Sequence, residues 1–211
     1  MIEQLSVQQT IDMLIYVANQ MEEAADQLNE ADQLIGDGDH GEAMARGWRA
    51  ARDGLSGGEF DNVGDVLSTV GTRMMATMGG ASGAIFGTWF RGGSRSLKET
   101  AIFSPETLES LLSDGLEAVK ARGNANLGDK TMVDALQPAA TAAGLARSKP
   151  ISEALSTVAE AAQQGVEATK EIVAHVGRAR TLGERSLGHP DPGALSTYLI
   201  LQCMADYVGG L

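Results

Sequence analysis

The stretch IDMLIYVANQMEEAADQL, residues 11–28, carries its apolar side chains in alternating steps of three and four. Residues at that spacing fall on one face of an α-helix, so the stretch predicts a long amphipathic helix with one buried stripe. Similar spacing recurs along most of the chain, and the fold class that it predicts is all-α. The stripe consists of Ile11, Leu14, Ala18, Met21, Ala25 and Leu28.

The same periodicity predicts seven further helices. The start of one is marked by Ser104 as cap, Pro105 at the first helical position and Glu106 in the positively charged first turn. Pro138 is expected to kink or divide the sixth helix of the chain, because proline removes a helical hydrogen bond. No run of alternating β-branched residues bounded by turns is found, so no sheet is expected. The seven helices are expected near residues 41–55, 63–74, 81–98, 105–119, 131–147, 152–176 and 193–208.

The composition is that of a globular protein. A chain of 211 residues with 43% hydrophobic residues most simply forms one domain, here residues 1–211. No apolar run approaches the roughly 18 residues of a membrane span. Residues 1–9 show no secretory signal, and the lone Cys203 cannot form an intrachain disulfide, so a cytoplasmic location is expected. A net charge of −12 disfavours a nucleic-acid partner, because phosphate backbones are bound by clustered Lys and Arg.

The glycines concentrate in four segments rather than spreading evenly. In an antiparallel bundle of eight helices, the loops that follow helices 1, 3, 5 and 7 lie at the same end. These are the glycine-rich loops, so the sequence predicts one composite site at one end of the bundle. The segments are GDGDHG at 36–41, GGASG at 79–83, RGNANLGDKT at 122–131 and GRARTLGERSLGHPDPG at 177–193.

The first of these segments matches the spacing of a phosphate-binding G-x-G-x-x-G loop, but a helix precedes it where that loop needs a strand. Carboxylates beside phosphate oxygens would also repel by about 4 kcal/mol per pair at 4 Å. An EF-hand calcium loop fails as well, because its twelfth position falls on Trp48. A hard-cation site formed by Asp32, Asp37 and Asp39 remains, with Mg²⁺ bridging carboxylates to a nucleotide. Solvated turn aspartates without chemistry are the alternative.

The other three segments are less specific, and a functional and a structural interpretation are both open for GGASG and for the arginines. The glycines of GGASG allow close approach of a ligand to a helix N-terminus, with Ser82 as a hydroxyl donor, or a close helix–helix crossing. RGNANLGDKT resembles a Walker A loop, but Asp129 stands where the lysine should directly follow Gly128. Arg178 and Arg185 are candidates for phosphate charge or are solvated surface residues. The HPDPG turn, residues 189–193, leads into the last helix.

Together, IGDGDHG, GGASG, RGNANLGDKT and GRARTLGERSLGHPDPGA resemble the nucleotide-binding L subunit of dihydroxyacetone kinase, in order and spacing over essentially the whole chain. The resemblance implies an eight-helix antiparallel barrel with ADP or ATP at one end. It implies that Asp32, Asp37 and Asp39 hold two Mg²⁺ ions and that Arg178 is the catalytic cation nearest the transferred phosphoryl group. The nucleotide contacts that it implies are His40, Gly41, Glu42, Ala43, Ala81, Ser82, Gly123, Met132, Arg178, Asp191, Pro192 and Gly193.

One departure from the family concerns Glu42 and Ala43, which replace a Leu-Asn pair of some relatives and remove a side-chain amide. The resemblance further implies that a separate K subunit holds dihydroxyacetone covalently through a histidine. This chain would supply the phosphoryl group, either from exchangeable ATP or from bound ADP that a phosphotransferase-system subunit rephosphorylates. Catalysis would come mainly from positioning and charge neutralisation.

Three other functions are compatible with these residues. The chain could serve a kinase for a related short ketose such as erythrulose, because the K subunit selects the sugar. It could be of the fatty-acid kinase type, although those chains continue into further domains. It could also be a nucleotide-sensing module that docks on a transcription regulator. Neither a nucleic acid nor a membrane is expected as a partner.

Overall fold

The computed structural model describes residues 2–211. Over this range the chain forms nine α-helices, two short 3-10 helices and one antiparallel pair of two-residue strands, β1 (Leu5–Ser6) and β2 (Ile102–Phe103). The 3-10 helices are Arg95–Leu97 and Ala179–Ser186. The α-helices are α1 (Val7–Glu23), α2 (Ala25–Gln33), α3 (His40–Ser56), α4 (Val63–Thr77), α5 (Gly80–Gly93), α6 (Pro105–Gly123), α7 (Val133–Leu145), α8 (Ile151–Thr169) and α9 (Pro192–Gly209).

The helices form a closed antiparallel barrel. From α3 onward each helix packs against the next, and α9 returns to pack against α1 and α2, which closes the ring. The chain bends at Ala24 (φ −78°, ψ 0°), so α1 and α2 are the two halves of the single helix predicted from residues 11–28. Counting them as one pass gives eight passes, and the predicted all-α barrel is confirmed.

Local signals fix several helix starts. The Ser104 hydroxyl accepts the backbone N–H of Thr107, whose own hydroxyl accepts the N–H of Ser104, and Pro105 begins α6. Each capping side chain replaces a hydrogen bond that the first helical turn cannot make internally. The start of α6 predicted from Ser104 and Pro105 is therefore confirmed.

The structure differs from the sequence-based predictions in three places. Of the two outcomes expected at Pro138, a kink or a division, division does not occur, because α7 continues through the proline; the carbonyl of Asp134, which loses its helical donor to the proline, lies against Gly165 of α8. The helix expected at 152–176 ends at Thr169, because the next residues bond to neighbouring loops: the His175 N–H donates to the Asp129 carbonyl at 3.3 Å. The pair of strands was not expected; it joins the N-terminal segment to the connection between α5 and α6.

Large side chains fill the interior of the barrel. Trp48, Trp89 and Phe90 are fully buried, and the rings of Trp48 and Phe90 meet edge to face with centroids 5.6 Å apart. Within residues 2–211, no helix combines the length and apolar character needed to cross a bilayer. The packed interior leaves the loops at the barrel ends as the place for a site.

Candidate functional site

Four loops at one end of the barrel enclose a cleft of about 830 Å³. They are the connections after α2, α4 and α6 and the long connection before α9, which are the glycine-rich segments predicted to converge. The structure therefore brings most of the predicted site residues together. Those that line the cleft are Asp32, Asp37, Asp39, His40, Ala43, Ala81, Ser82, Gly123, Met132, Arg178, Asp191, Pro192 and Gly193.

An acidic cluster lies in the connection between α2 and α3, residues 34–39, which we name the acidic loop. Asp32, in the last turn of α2, accepts the backbone N–H groups of Gly38 and Asp39 at 2.8 and 3.2 Å. Gly38 adopts φ 78°, a left-handed conformation that glycine takes without strain. The turn brings one carboxylate oxygen each of Asp32, Asp37 and Asp39 within 4.8 Å of one another.

This cluster fits a hard divalent cation. Three carboxylates at the negative C-terminal end of α2 repel one another and the helix dipole unless a cation lies among them. Oxygen-only donors suit Mg²⁺ or Ca²⁺ rather than softer metals. Arg178, with its side chain 69% exposed, forms an ion pair with Asp37, which places one cationic group against the three acidic ones.

The start of α5 forms the facing wall. Gly79 and Gly80 take φ 73° and 58°, and α5 begins at Gly80 directly after this turn. A Cβ at either glycine would meet no atom within 4 Å, so the backbone faces open space. The third glycine of the segment, Gly83, does pack against α4, because a Cβ there would lie 3.0 Å from the Met78 Cβ. The tighter helix–helix crossing lies elsewhere, where a Cβ on Gly71 or Gly87 would come within 2.7 Å of the other's carbonyl oxygen. The geometry thus favours the anion-binding interpretation of GGASG.

His40 ties the acidic loop to two other helices. Its buried ring lies with Nε2 2.8 Å from the Ser196 hydroxyl and Nδ1 3.3 Å from the Ser82 hydroxyl. Burial lowers the pKa of His40, against the opposing effect of Asp32 and Asp39. The neutral ring therefore joins the start of α3 to α5 and α9 and fixes the side chain of Ser82 at the cleft.

Two predicted contacts do not line the cleft. The N–H groups of Gly41 and Glu42 donate to the side chain of Asn29 at 2.8 and 3.3 Å. A Cβ on Gly41 would lie 1.8 Å from the carbonyl oxygen of Ala25, so glycine is needed there for helix packing. Asn29 caps α3 from α2, a role that no local pattern in the sequence indicates.

The connection between α6 and α7, residues 124–132, is the lysine loop. Lys130 is 1% exposed, has φ 61°, and its ammonium donates to the carbonyls of Thr169 and His189 at 2.5 and 2.6 Å. The Asp134 carboxylate accepts the N–H groups of Gly128 and Thr131 at 2.6 and 2.7 Å. The rejection of a Walker A assignment for this segment agrees with these contacts, because the lysine binds backbone carbonyls.

The N-terminus of α9 completes the cleft. The Asp191 carboxylate accepts the N–H of Ala194 at 2.8 Å, and its own N–H donates to the Thr169 hydroxyl at 3.0 Å. Burial raises the pKa of Asp191 to about 7, and the N–H of Ala194 and the ammonium of Lys130 oppose that shift. A Cβ on Gly193 would lie 3.4 Å from Met132, so the last two loops touch at this point.

Further arginines distinguish the cleft from the rest of this acidic chain. Arg46 and Arg122 line it, and the Arg46 guanidinium donates to the carbonyl of Met78, next to the glycine turn, at 3.1 Å. Sequence reasoning did not select either residue: Arg46 lies within α3 with no distinguishing motif, and Arg122 begins the RGNANLGDKT segment without being singled out there. Arg185, the second arginine considered from the sequence, is exposed and is not among the residues that line the cleft.

The chain is similar to known proteins over most of its length. The DAK2 domain family matches residues 34–206. The PEP-dependent dihydroxyacetone kinase 1, ADP-binding subunit DhaL, of Listeria innocua is 39% identical over 177 residues, which are 84% of each chain. The PEP-dependent dihydroxyacetone kinase, ADP-binding subunit DhaL, of Escherichia coli is 34% identical over 95% of this chain and 97% of that protein.

Among solved structures, the chain resembles the dihydroxyacetone kinase of C. freundii in complex with AMP-PNP and Mg²⁺, with a TM-score of 0.75 and 28% identity. The match covers 98% of this chain and 35% of that longer one. The helical barrel, the acidic cluster and these matches agree with one another. The chain belongs to the DAK2 domain family, among the DhaL subunits of dihydroxyacetone kinases.

Proposed function

We propose that the chain is the nucleotide-binding subunit of a dihydroxyacetone kinase. It would transfer a phosphoryl group from a magnesium-bound nucleotide to dihydroxyacetone that a separate K subunit holds covalently. One observation carries the proposal: a cluster of three carboxylates faces the N-terminus of α5 across a single cleft. A polyphosphate suits such a cleft only with divalent cations between it and the carboxylates.

The residues of the chain would divide the work. Asp32, Asp37 and Asp39 would hold two Mg²⁺ ions, which neutralise phosphate charge when bound. The backbone N–H groups at the start of α5 and the Ser82 hydroxyl would bind phosphate oxygens. Arg178, beside Asp37, would approach the transferred phosphoryl group. Rate enhancement would come from this positioning and charge neutralisation.

We further propose that ADP is a retained coenzyme, rephosphorylated by a phosphotransferase-system protein. The two relatives matched over 84% and 97% of their own length are named PEP-dependent, ADP-binding subunits. The structure crystallised with AMP-PNP is matched over 35% of its length. The similarity is therefore more complete to the subunits that carry ADP.

The test is reconstitution of the reaction. The chain loaded with Mg-ADP is mixed with its K subunit and dihydroxyacetone, and product is measured with either ATP or the phosphorylated phosphotransferase protein as donor. Turnover with the phosphorylated protein supports the whole proposal, and turnover with ATP alone supports the kinase but contradicts the coenzyme scheme. Activity with neither donor contradicts the kinase assignment.

A matched pair of variants tests the role of Arg178. Arg178→Lys is expected to lower kcat by roughly 100-fold or more, because a point charge replaces a fork that can bind two phosphate oxygens. Arg185→Lys is the control and should keep the wild-type rate, since Arg185 lies outside the cleft lining. Equal rates for the two variants would remove Arg178 from the mechanism.

A further inference from the structure

We infer that Lys130 is a positioning residue that joins the lysine loop to the loop before α9 and thereby fixes two walls of the nucleotide cleft. The inference rests on the proposed function, because it concerns the same cleft. It gives a role to the segment that resembles a Walker A loop in sequence but is not built as one.

The contacts of the Lys130 ammonium define this role. Its donors reach the carbonyl of Thr169, the last residue of α8, and the carbonyl of His189, just before α9. The Thr169 carbonyl, at the C-terminus of α8, carries the negative end of the helix dipole and attracts the ammonium, whereas burial lowers the pKa of Lys130. One side chain thus bonds to two segments that lie 39 and 59 residues further along the chain.

The lysine loop holds this side chain in an unusual backbone conformation. A φ of 61° is uncommon for a residue other than glycine and persists only where the surroundings impose it. The restraint comes from Asp134, 2% exposed, which accepts the N–H groups on both sides of Lys130, at Gly128 and Thr131. The loop is therefore built to present the lysine inward.

The same contacts reach the residues that line the cleft. Thr169 binds Lys130 through its carbonyl and accepts the Asp191 N–H through its hydroxyl. Two residues after Lys130, Met132 lines the cleft and touches the position of Gly193. Loss of the ammonium would free the lysine loop and the start of α9 together, so that both walls would move.

This role differs from that of a phosphate-binding lysine in a measurable way. A lysine that binds phosphate contributes more to the binding free energy as phosphates are added to the nucleotide, because its attraction to them is electrostatic. A residue that positions the walls contributes to binding of the whole nucleotide and affects AMP and Mg-ADP alike. The dependence on phosphate number therefore separates the two roles.

The first test compares Lys130→Met with the wild type by calorimetric titration of AMP and of Mg-ADP. We expect both affinities to fall by a similar factor, of about tenfold. Lys170→Met is the control, because Lys170 is a solvent-accessible partner of Glu167 at the end of α8, and it should bind both ligands as the wild type does. A loss confined to Mg-ADP, or no loss for either ligand, would overturn the inference.

Hydrogen exchange of the nucleotide-free protein gives a second, independent test. In Lys130→Met the amides of residues 124–132 and 187–194 should exchange faster, while those of α4 should not change. Uniform acceleration through the chain, or unchanged exchange in both loops, would overturn the inference. If wild-type protein fails to bind Mg-ADP, the proposed function fails, and the exchange pattern still decides the role of Lys130.

Thr169→Val serves if Lys130→Met does not fold. It removes the hydroxyl that accepts the Asp191 N–H while leaving the carbonyl that accepts from Lys130. Faster exchange at residues 189–194, with weaker binding of AMP and Mg-ADP by the same factor, would support the network. Unchanged exchange and unchanged binding would contradict it.

Discussion

The acidic loop and the lysine loop lie at the same end of the barrel, and one aspartate organises each of them. Asp32 accepts two N–H groups of the acidic loop, and Asp134 accepts two of the lysine loop. The aspartates differ in their place on a helix: Asp32 is in the last turn of α2, and Asp134 is in the first turn of α7.

This difference in place decides what each loop can do. The dipole of α7 favours the carboxylate of Asp134, whereas the dipole of α2 opposes that of Asp32. The polar groups of the lysine loop thus find partners inside the protein, in Asp134 for two of its N–H groups and in the carbonyls of Thr169 and His189 for the Lys130 ammonium. The acidic loop keeps Asp37 and Asp39 exposed beside Asp32, and the ion pair of Arg178 with Asp37 offsets only part of their negative charge. One loop is built as a structural element, and the other has the charge arrangement of a cation site.

The largest expected effect is on binding in the acidic loop. Asp37→Asn should weaken Mg-ADP binding by about 100-fold or more. Loss of a residue that only hydrogen-bonds to a metal ligand already lowers metal affinity by roughly 10- to 100-fold, and Asp37 is proposed as a ligand itself. The measurement is calorimetric titration, with circular dichroism to confirm unchanged helicity.

The control for this experiment makes the same substitution in the lysine loop. Asp129 accepts the N–H of Asn126 there, and an Asn side chain can do the same, so Asp129→Asn should keep wild-type affinity. Equal losses for the two variants would mean that the loops do not differ in the way described.

The next largest effect is a loss of stability, which should be greater for a substitution that disrupts the lysine loop than for one that disrupts the acidic loop. Asp134→Ala leaves two half-buried N–H groups, of Gly128 and Thr131, without an acceptor and should lower the free energy of unfolding by about 2–4 kcal/mol. Asp32→Ala loses as many hydrogen bonds but also relieves carboxylate repulsion, so its loss in magnesium-free buffer should be smaller. Urea unfolding measures both, and a larger loss for Asp32→Ala would reverse the comparison.

A pH dependence is expected from Asp191, which lies against the lysine loop. Its folded pKa of about 7 exceeds the ordinary value of 3.8, so the folded state binds the proton more tightly. Protonation of Asp191 therefore stabilises the folded state; this stabilisation is complete below pH 4 and is lost as the pH rises to about 7. Asp191→Asn keeps an acceptor for the cap without a charge, and should gain about 1–2 kcal/mol relative to wild type between pH 5 and pH 8.

Urea unfolding of wild type and Asp191→Asn at the two pH values tests this sign. Other titrating groups contribute equally to both proteins and cancel in the difference. Asp53→Asn, at an exposed position of α3, is the control and should show no such change. A difference between wild type and Asp191→Asn that stays constant with pH would contradict the raised pKa.

The smallest expected effect is a gain of stability in the acidic loop. Asp39→Asn removes one of three like charges and should stabilise the magnesium-free protein by less than about 1 kcal/mol. Added Mg²⁺ should stabilise the wild type more than the variant, which reverses their order. Thermal unfolding with and without magnesium measures this. If the variant is less stable than the wild type in the presence of a chelator, the three carboxylates do not repel one another as described.

Much of the fold follows from local patterns. The stripe of residues 11–28 and its repeats predicted the helices, and the parity of the connections placed four loops at one end. The cap at Ser104 was found because its hydrogen bonds join residues three apart in the sequence. The residues that form the cleft were predicted largely by resemblance, and their roles as ligands stay predictions that binding measurements decide.

The features that were missed depend on contacts between distant segments. The bend at Ala24 occurs without glycine or proline. Asn29 caps a helix that begins eleven residues later, and the burial of Lys130 depends on two carbonyls from other segments that accept hydrogen bonds from its ammonium. A lysine is ordinarily exposed, so no local pattern could indicate such a position.

The eight passes of the barrel also determine where extra polypeptide can be joined. Because the acidic loop follows the first pass and α9 begins at the cleft, α1 begins and α9 ends at the opposite end of the barrel. There Leu5 lies opposite Phe103, and the Ile151 N–H bonds to the Glu3 carbonyl. An affinity tag or surface anchor attached near either of these helix ends would project away from the cleft, leaving the entrance of the cleft open to a docking protein.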